Sequence, residues 1–318
     1  MDFFVWCIFR KFKTRISKEG EVFQYLDVVA KVMRHGVNRQ DRTGTGTRAL
    51  FVEPVRFNLA NGFPIVTTKY VPFRLILAEL LWFLAGDSDV RNLQKLGAHI
   101  WDGDAFSDRW APKARFPGDA GRIYGVQWRS WQAPDGRTID QLTEAIEKIE
   151  NRPWDRRIIV SAWNPGELDQ MCLPPCHMFY QFFVAEGKLS LAMYQRSCDM
   201  FLGVPFNISS YALFLSLVAQ FTRLQPYELT IILGDAHVYH NHFPQIEQML
   251  SRDPKPLPRL EIDPHLASLE AVVNRYRWIL RQVDRGAKPG EYLDHVASLL
   301  DYRHYPAIAA PLNFQDVK

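Results

Sequence analysis

Apolar positions set the first outline of the chain. From Val22 to Gly36 they recur as Phe23, Leu26, Val29, Ala30 and Met33, a helical period. Leu50 to Phe57 and Pro64 to Thr68 read as strands, and Phe73 to Ala85 as a very apolar helix interrupted by one acid, Glu79. Ile139 to Ile149 predicts an amphipathic helix, Ser210 to Phe221 a helix central to the core, and Leu266 to Ala287 a charged helix. Ile158 to Trp163, Phe179 to Val184 and Ile231 to Tyr239 have the composition of buried strands. Between them lie polar or glycine- and proline-punctuated stretches: Asn38 to Thr47, Gly103 to Gly121, Asn151 to Arg157 and Pro254 to Arg259. No linker, internal repeat or low-complexity tract divides the pattern. It predicts one α/β domain over residues 22–318, with a large mixed sheet and flanking helices, preceded by an extension over 1–21.

Composition narrows the class. Of 318 residues, 47% are hydrophobic and 13% aromatic, enough for a substantial core and incompatible with global disorder. A net charge of +3 lacks the strongly basic balance of a general nucleic-acid binder. Cys7, Cys172, Cys176 and Cys198 have no zinc-like spacing, so no metal is expected and a reducing, cytoplasmic setting fits best. No stretch reads as a membrane span of roughly 18 apolar residues. The apolar run Phe3 to Phe9 precedes its basic residues, the reverse of a signal peptide.

The chemistry gathers between Arg156 and Asn207. Pro174 and Pro175 cannot continue a ladder, so Cys176 should stand at a sharp break between two strands. Gln195, Arg196, Ser197 and Asp199 follow, then Asn207: a thiol, a guanidinium, a hydroxyl, a carboxylate and amides, the outline of a nucleophile site that handles nucleotides. Arg42, in a loop rich in glycine and hydroxyls, could bind an anion in bidentate fashion or simply sit on a solvated turn. Glu79 has two readings. Burial among Leu80, Leu81 and Trp82 would raise its pKa and suit it to proton transfer; a place on the outer helix face would leave it ordinary. His237 and Tyr239, two apart at a strand end, point to the same side and are ligand candidates. Arg156 and Arg157 abut the central strand, although paired arginines more often form a solvated face.

Taken in order, these segments resemble the folate-dependent thymidylate synthase family. The resemblance rests on Asp41-Arg42-Thr43-Gly44-Thr45-Gly46-Thr47, Glu79-Leu80-Leu81-Trp82-Phe83-Leu84 and Tyr124-Gly125-Val126-Gln127-Trp128. It continues through Arg156 to Asn164, Leu173-Pro174-Pro175-Cys176-His177, Gln195 to Asp199, Gly203 to Asn207 and Gly234 to Tyr239. It implies a homodimer joined sheet to sheet, dUMP as substrate and 5,10-methylenetetrahydrofolate as one-carbon donor. Cys176 would attack C6 of the pyrimidine, with Arg196 favouring its thiolate. Arg42, Arg196 and Ser197 would hold the phosphate with Arg156 and Arg157 of a second subunit, and His237 and Tyr239 would hold the sugar 3′-hydroxyl. Glu79, Tyr124 and His177 would manage protons. Asn207, beside Gln195, would select uracil, where related cytidylate hydroxymethylases carry an acid. Asp199, Trp101, Lys69 and Asn313 would meet the folate.

Three departures stand out. Tyr70 and Pro72 replace a base and a histidine common in the family, and Asp104 stands where a second tryptophan is frequent. Beyond Ala310-Pro311, where the family typically stops, seven more residues follow, Leu312 to Lys318. A changed tail keeps a dUMP hydroxymethylase in view beside the synthase. A non-catalytic nucleotide or RNA binder fits poorly with an intact Cys176, Glu79 and Arg196.

Overall fold

The computed structural model describes residues 22–42 and 44–311. Helix α1 (Phe23–His35) is followed by strands β1 (Val37–Arg39) and β2 (Thr47–Asn58), then helix α2 (Phe73–Leu84), α3 (Tyr124–Arg129) and α4 (Gln141–Asn151). Strands β3 (Ile159–Ser161), β4 (His177–Ala185) and β5 (Lys188–Asp199) precede helix α5 (Gly203–Phe221), strand β6 (Gln225–Tyr239), helix α6 (Phe243–Ser251) and helix α7 (Leu269–Val283).

One six-stranded sheet runs β1-β2-β6-β5-β4-β3. All neighbours are antiparallel except β5 and β6, which are parallel because α5 carries the chain back across the sheet between them. That parallel register sets Ser197 opposite Asp235 and Asp199 opposite His237. Four residues singled out in the sequence or beside it therefore stand in two facing rows.

Helix α5 is apolar all round because protein surrounds it; fifteen of its residues are buried. Contrary to the sequence expectation, it is long and apolar enough to cross a membrane by length and composition. Here its Phe214 packs against Trp128 at 5.6 Å, Tyr180 at 5.2 Å and Phe182 at 5.7 Å. Tyr180 and Phe182 are alternate positions of β4, so the intervening residues point the other way. On that opposite face Ile159, Phe179 and Phe183 stay exposed, Phe183 at 65% of its surface. Phe51 and Val52 on β2 are also exposed, at 80% and 42%. Val52 adopts a positive φ of 61° within the strand, a left-handed conformation that a β-branched side chain resists.

Three segments differ from the sequence reading. Pro64 to Thr68 is buried and extended, but it joins no strand. Its carbonyls instead accept from Tyr302 Oη at 2.8 Å, the Tyr305 amide at 2.9 Å and Arg252 at 2.8 Å, which belong to irregular chain and to the end of α6. Asn38 and Arg39, expected in a loop, form the short edge strand β1. Strand β5, absent from the sequence reading, carries the alternation Leu189, Leu191, Met193, all fully buried, which is the signal that marks it.

Candidate active site

The proline pair works as the sequence predicts. Cys176 ends the break before β4, and its carbonyl accepts from the Arg196 amide at 2.9 Å, tying the nucleophile candidate to β5. Arg196 then reaches back, its Nε donating to the Pro175 carbonyl at 2.9 Å and an η-nitrogen to Pro174 at 2.7 Å. With both carbonyls engaged, its guanidinium is fixed beside the thiol and over the Trp163 ring. Burial pushes the Cys176 thiol up from its usual range; Arg196 and hydrogen bonds to Tyr124 and Ser197 work against that rise. Tyr124 Oη also accepts the Cys176 amide at 2.7 Å.

Of the two readings of Glu79, the buried one holds. Its carboxyl accepts from Trp101 Nε1 at 2.8 Å, and burial, partly offset by that bond, raises its pKa to about 7. Trp101 packs in turn against Trp82, Phe83 and Tyr124 at 5.6 to 6.3 Å between ring centres. An aromatic box thus holds an acid poised between its two protonation states at neutral pH. His177, packed between Tyr124 and Tyr211 at 5.2 Å each, is buried enough that its pKa falls to about 4, so it stays neutral.

Asn207 enters from the first turns of α5, and its Oδ1 accepts from Gln195 Nε2 at 2.9 Å. Gln195 Nε2 also reaches the Ser197 carbonyl at 3.1 Å, so both amides are oriented. Asp199 Oδ1 accepts from the amides of Phe201 and Leu202 at 2.9 and 3.1 Å, holding the turn into α5 and leaving Oδ2 for a donor. Lys69 turns inward. Its Nζ donates to the Phe201 carbonyl at 2.6 Å and lies 4.0 Å over that ring, and burial, opposed by Asp199, lowers its pKa to about 8.

A cavity of about 430 Å³ adjoins these groups, lined by Arg42, Arg196, Ser197, Asp235, His237 and Tyr239 among others. Burial and the nearby Arg109 hold the Arg42 guanidinium below its ordinary value, and Arg196 adds to the effect. Cations crowded in this way are relieved by an anion. Asp104 lies among them; burial raises its pKa while Arg109 and Arg42 pull it back. Arg109, which sequence reasoning missed, donates to the Cys172 carbonyl at 2.8 Å.

Arg156 and Arg157 do not join this cavity. Both are exposed on the turn into edge strand β3; Arg157 pairs with Asp155, and the Arg156 carbonyl accepts from Gln181 at 3.0 Å. Asn313 lies outside the described residues. The last described stretch passes Thr67 and Arg252, and the Pro311 carbonyl accepts from His242 Nε2 at 2.8 Å. His242 in turn packs against Phe201 and Tyr239 at 5.5 and 5.6 Å, so the tail arrives at the cleft beside the sugar candidates. Among the described residues no group of three His, Cys, Asp or Glu side chains could hold a metal.

The sequence model of one family, described as thymidylate synthase, matches residues 23–313. The chain belongs to the thymidylate synthase family. Membership carries a one-carbon transfer to dUMP with a folate co-substrate.

Proposed function

We propose that this protein converts dUMP to thymidylate, with 5,10-methylenetetrahydrofolate as donor. The residues present suit both ligands. Asn207, its carbonyl already oriented by Gln195, can accept from uracil N3–H and donate to O4. Asp199 keeps a carboxylate oxygen for a pterin N–H donor. When bound, the folate supplies a methylene group and, for a methyl product, a hydride.

The protein's own part begins with Cys176. Its sulfur bonds to C6 of the pyrimidine, the C5–C6 π pair moves to C5 and the O4 enolate, and C5 becomes the nucleophile. Arg196 stabilises the thiolate that this step requires. Glu79, near pH 7 in its titration, takes and returns protons at the C4 and C5 end, with Tyr124 and neutral His177 alongside. After carbon transfer, loss of the C5 proton and elimination of the folate leave an exocyclic methylene on C5; when hydride adds to that methylene, the electron pair returned to C5 re-forms the C5–C6 double bond and expels the Cys176 sulfur from C6 as thiolate.

Hydride at that methylene gives thymidylate; water gives 5-hydroxymethyl-dUMP. The observation that supports the synthase is the place of the tail. Despite its longer end, the chain lays Pro311 against His242 at the cleft, where a tail can keep water from the methylene. We also propose a homodimer. The exposed apolar sheet face with Phe179 and Phe183 would be covered by a second copy, and Arg156 and Arg157 beside it would reach the other subunit's phosphate site.

The deciding experiment incubates dUMP with methylenetetrahydrofolate and identifies both products by mass. Thymidylate with equimolar dihydrofolate supports the synthase. Hydroxymethyl-dUMP with tetrahydrofolate would replace it by the hydroxymethylase, and absence of turnover with Cys176 intact would reject both.

A further inference from the structure

We infer that Arg109 is a further binding residue for the anionic end of the substrate, a cation that acts with Arg42 and Arg196 on the nucleotide phosphate. This assignment rests on the nucleotide reading above and adds one group to that site.

Three stretches of chain bring Arg109 to the cavity wall. Its neighbour Trp110 is buried, with Nε1 donating to the Asp119 carbonyl at 2.6 Å. The residues after Asp119 lie against the strap that leads to the nucleophile. There the Cys172 amide donates to the Ala120 carbonyl at 3.1 Å, and Gly121 bridges Met171. Arg109 closes the arrangement, an η-nitrogen donating to the Cys172 carbonyl at 2.8 Å. The next residues of the strap, Leu173 and Pro174, line the cavity together with Arg42 and Arg196. Arg196 grips the far end of the same strap through the Pro174 and Pro175 carbonyls. Two guanidinium groups therefore hold one cavity wall from its two ends.

These groups lack counter-charge. Among the described residues, none of Arg42, Arg109 and Arg196 forms an ion pair, and the bonds of Arg109 and Arg196 go to neutral carbonyls. Arg39, on the same cavity, is by contrast paired with Asp235. Asp104 brings a single carboxylate to Arg42 and Arg109, and Arg109 is the leading charge that lowers the pKa of Arg42. A phosphate supplies the missing charge, and the planar donors left on each guanidinium suit its oxygens. A role as anchor for the strap explains less. A neutral amide would hold the Cys172 carbonyl without bringing a third cation to the cavity.

The test measures binding of dUMP, deoxyuridine and inorganic phosphate by calorimetry, with kcat and KM for dUMP, in Arg109→Gln and Arg109→Lys. The glutamine keeps a donor and loses the charge; the lysine keeps the charge. We expect Arg109→Gln to raise KM and the dissociation constants of dUMP and phosphate about five- to tenfold. Its kcat should stay within about twofold. Deoxyuridine, which has no phosphate, should bind as it does to the unaltered protein, and Arg109→Lys should recover most of the loss. Equal weakening for dUMP and deoxyuridine would make Arg109 an anchor only and overturn the assignment. Unchanged binding of dUMP, or a lysine variant no better than the glutamine, would overturn it too. An unaltered protein that binds phosphate but not dUMP would instead reject the nucleotide reading, with Arg109 still judged on phosphate.

Discussion

The two ends of the cleft are built differently. At the thiol end the groups are half-buried and held by the same chain: Cys176 by Tyr124 and Arg196, Glu79 by Trp101, Asn207 by Gln195. At the anion end Arg42 is exposed and crowded by other cations, while Arg156 and Arg157 stand on the far edge of the sheet. The contrast teaches where a single chain suffices. Chemistry that depends on shifted pKa values needs burial, and burial is available inside one fold. Phosphate binding needs charge at a surface, which a neighbouring subunit can bring.

The largest effect should come from Cys176→Ser, which removes the nucleophile while keeping the shape. Turnover should fall by at least about 10³-fold, read from product formation, and no covalent adduct with 5-fluoro-dUMP should survive denaturation. Next is Glu79→Gln, with turnover down about 10²- to 10⁴-fold and the limb of the rate profile near pH 7 abolished. The stability consequence has the opposite sign. Glu79 has a folded pKa of about 7 against an ordinary 4.5, so the folded state binds more protons between these values. Stability is therefore lost as pH rises across that window, by up to about 3 kcal/mol. Glu79→Gln should melt higher than the unaltered protein at pH 8 and gain nothing at pH 4.

A third prediction tries to break the contrast. Arg157→Ala should raise KM for dUMP about tenfold or more. Refolded together with Cys176→Ser and assayed at dUMP well below KM, it should recover about a quarter of full activity, because half the dimers are mixed and each mixed dimer has one intact site. Recovery of nothing would mean that both ends of the cleft belong to one chain. The smallest effect on the fold itself should come from Phe183→Asp. The side chain is exposed, so the isolated chain loses little, yet light scattering should show a shift towards monomer.

Legibility in the sequence follows the same division. Helix α2 and the break at Cys176 are plain because strong periodicity and a proline pair act locally. The His237 and Tyr239 pair is equally local. What the sequence hides is long-range: Trp101 donates to a carboxylate 22 residues away, and Arg39 meets Asp235 across 196. Pro64 to Thr68 misleads because extended, buried chain looks like a strand wherever its hydrogen bonds go. Arg109 has no pattern that separates it from a solvated arginine, and only its position beside Arg42 marks it.

The parallel register of β5 and β6 also limits how such a protein can vary over generations. Ser197 with Asp235, and Asp199 with His237, are aligned by one ladder whose strands are joined through α5. A point replacement in either strand alters one group, but a single inserted or deleted residue turns every following side chain to the wrong face. Descendants of this chain should therefore differ at these strands by substitution alone. Changes in length should collect where no ladder counts residues, such as between Gly103 and Gly118.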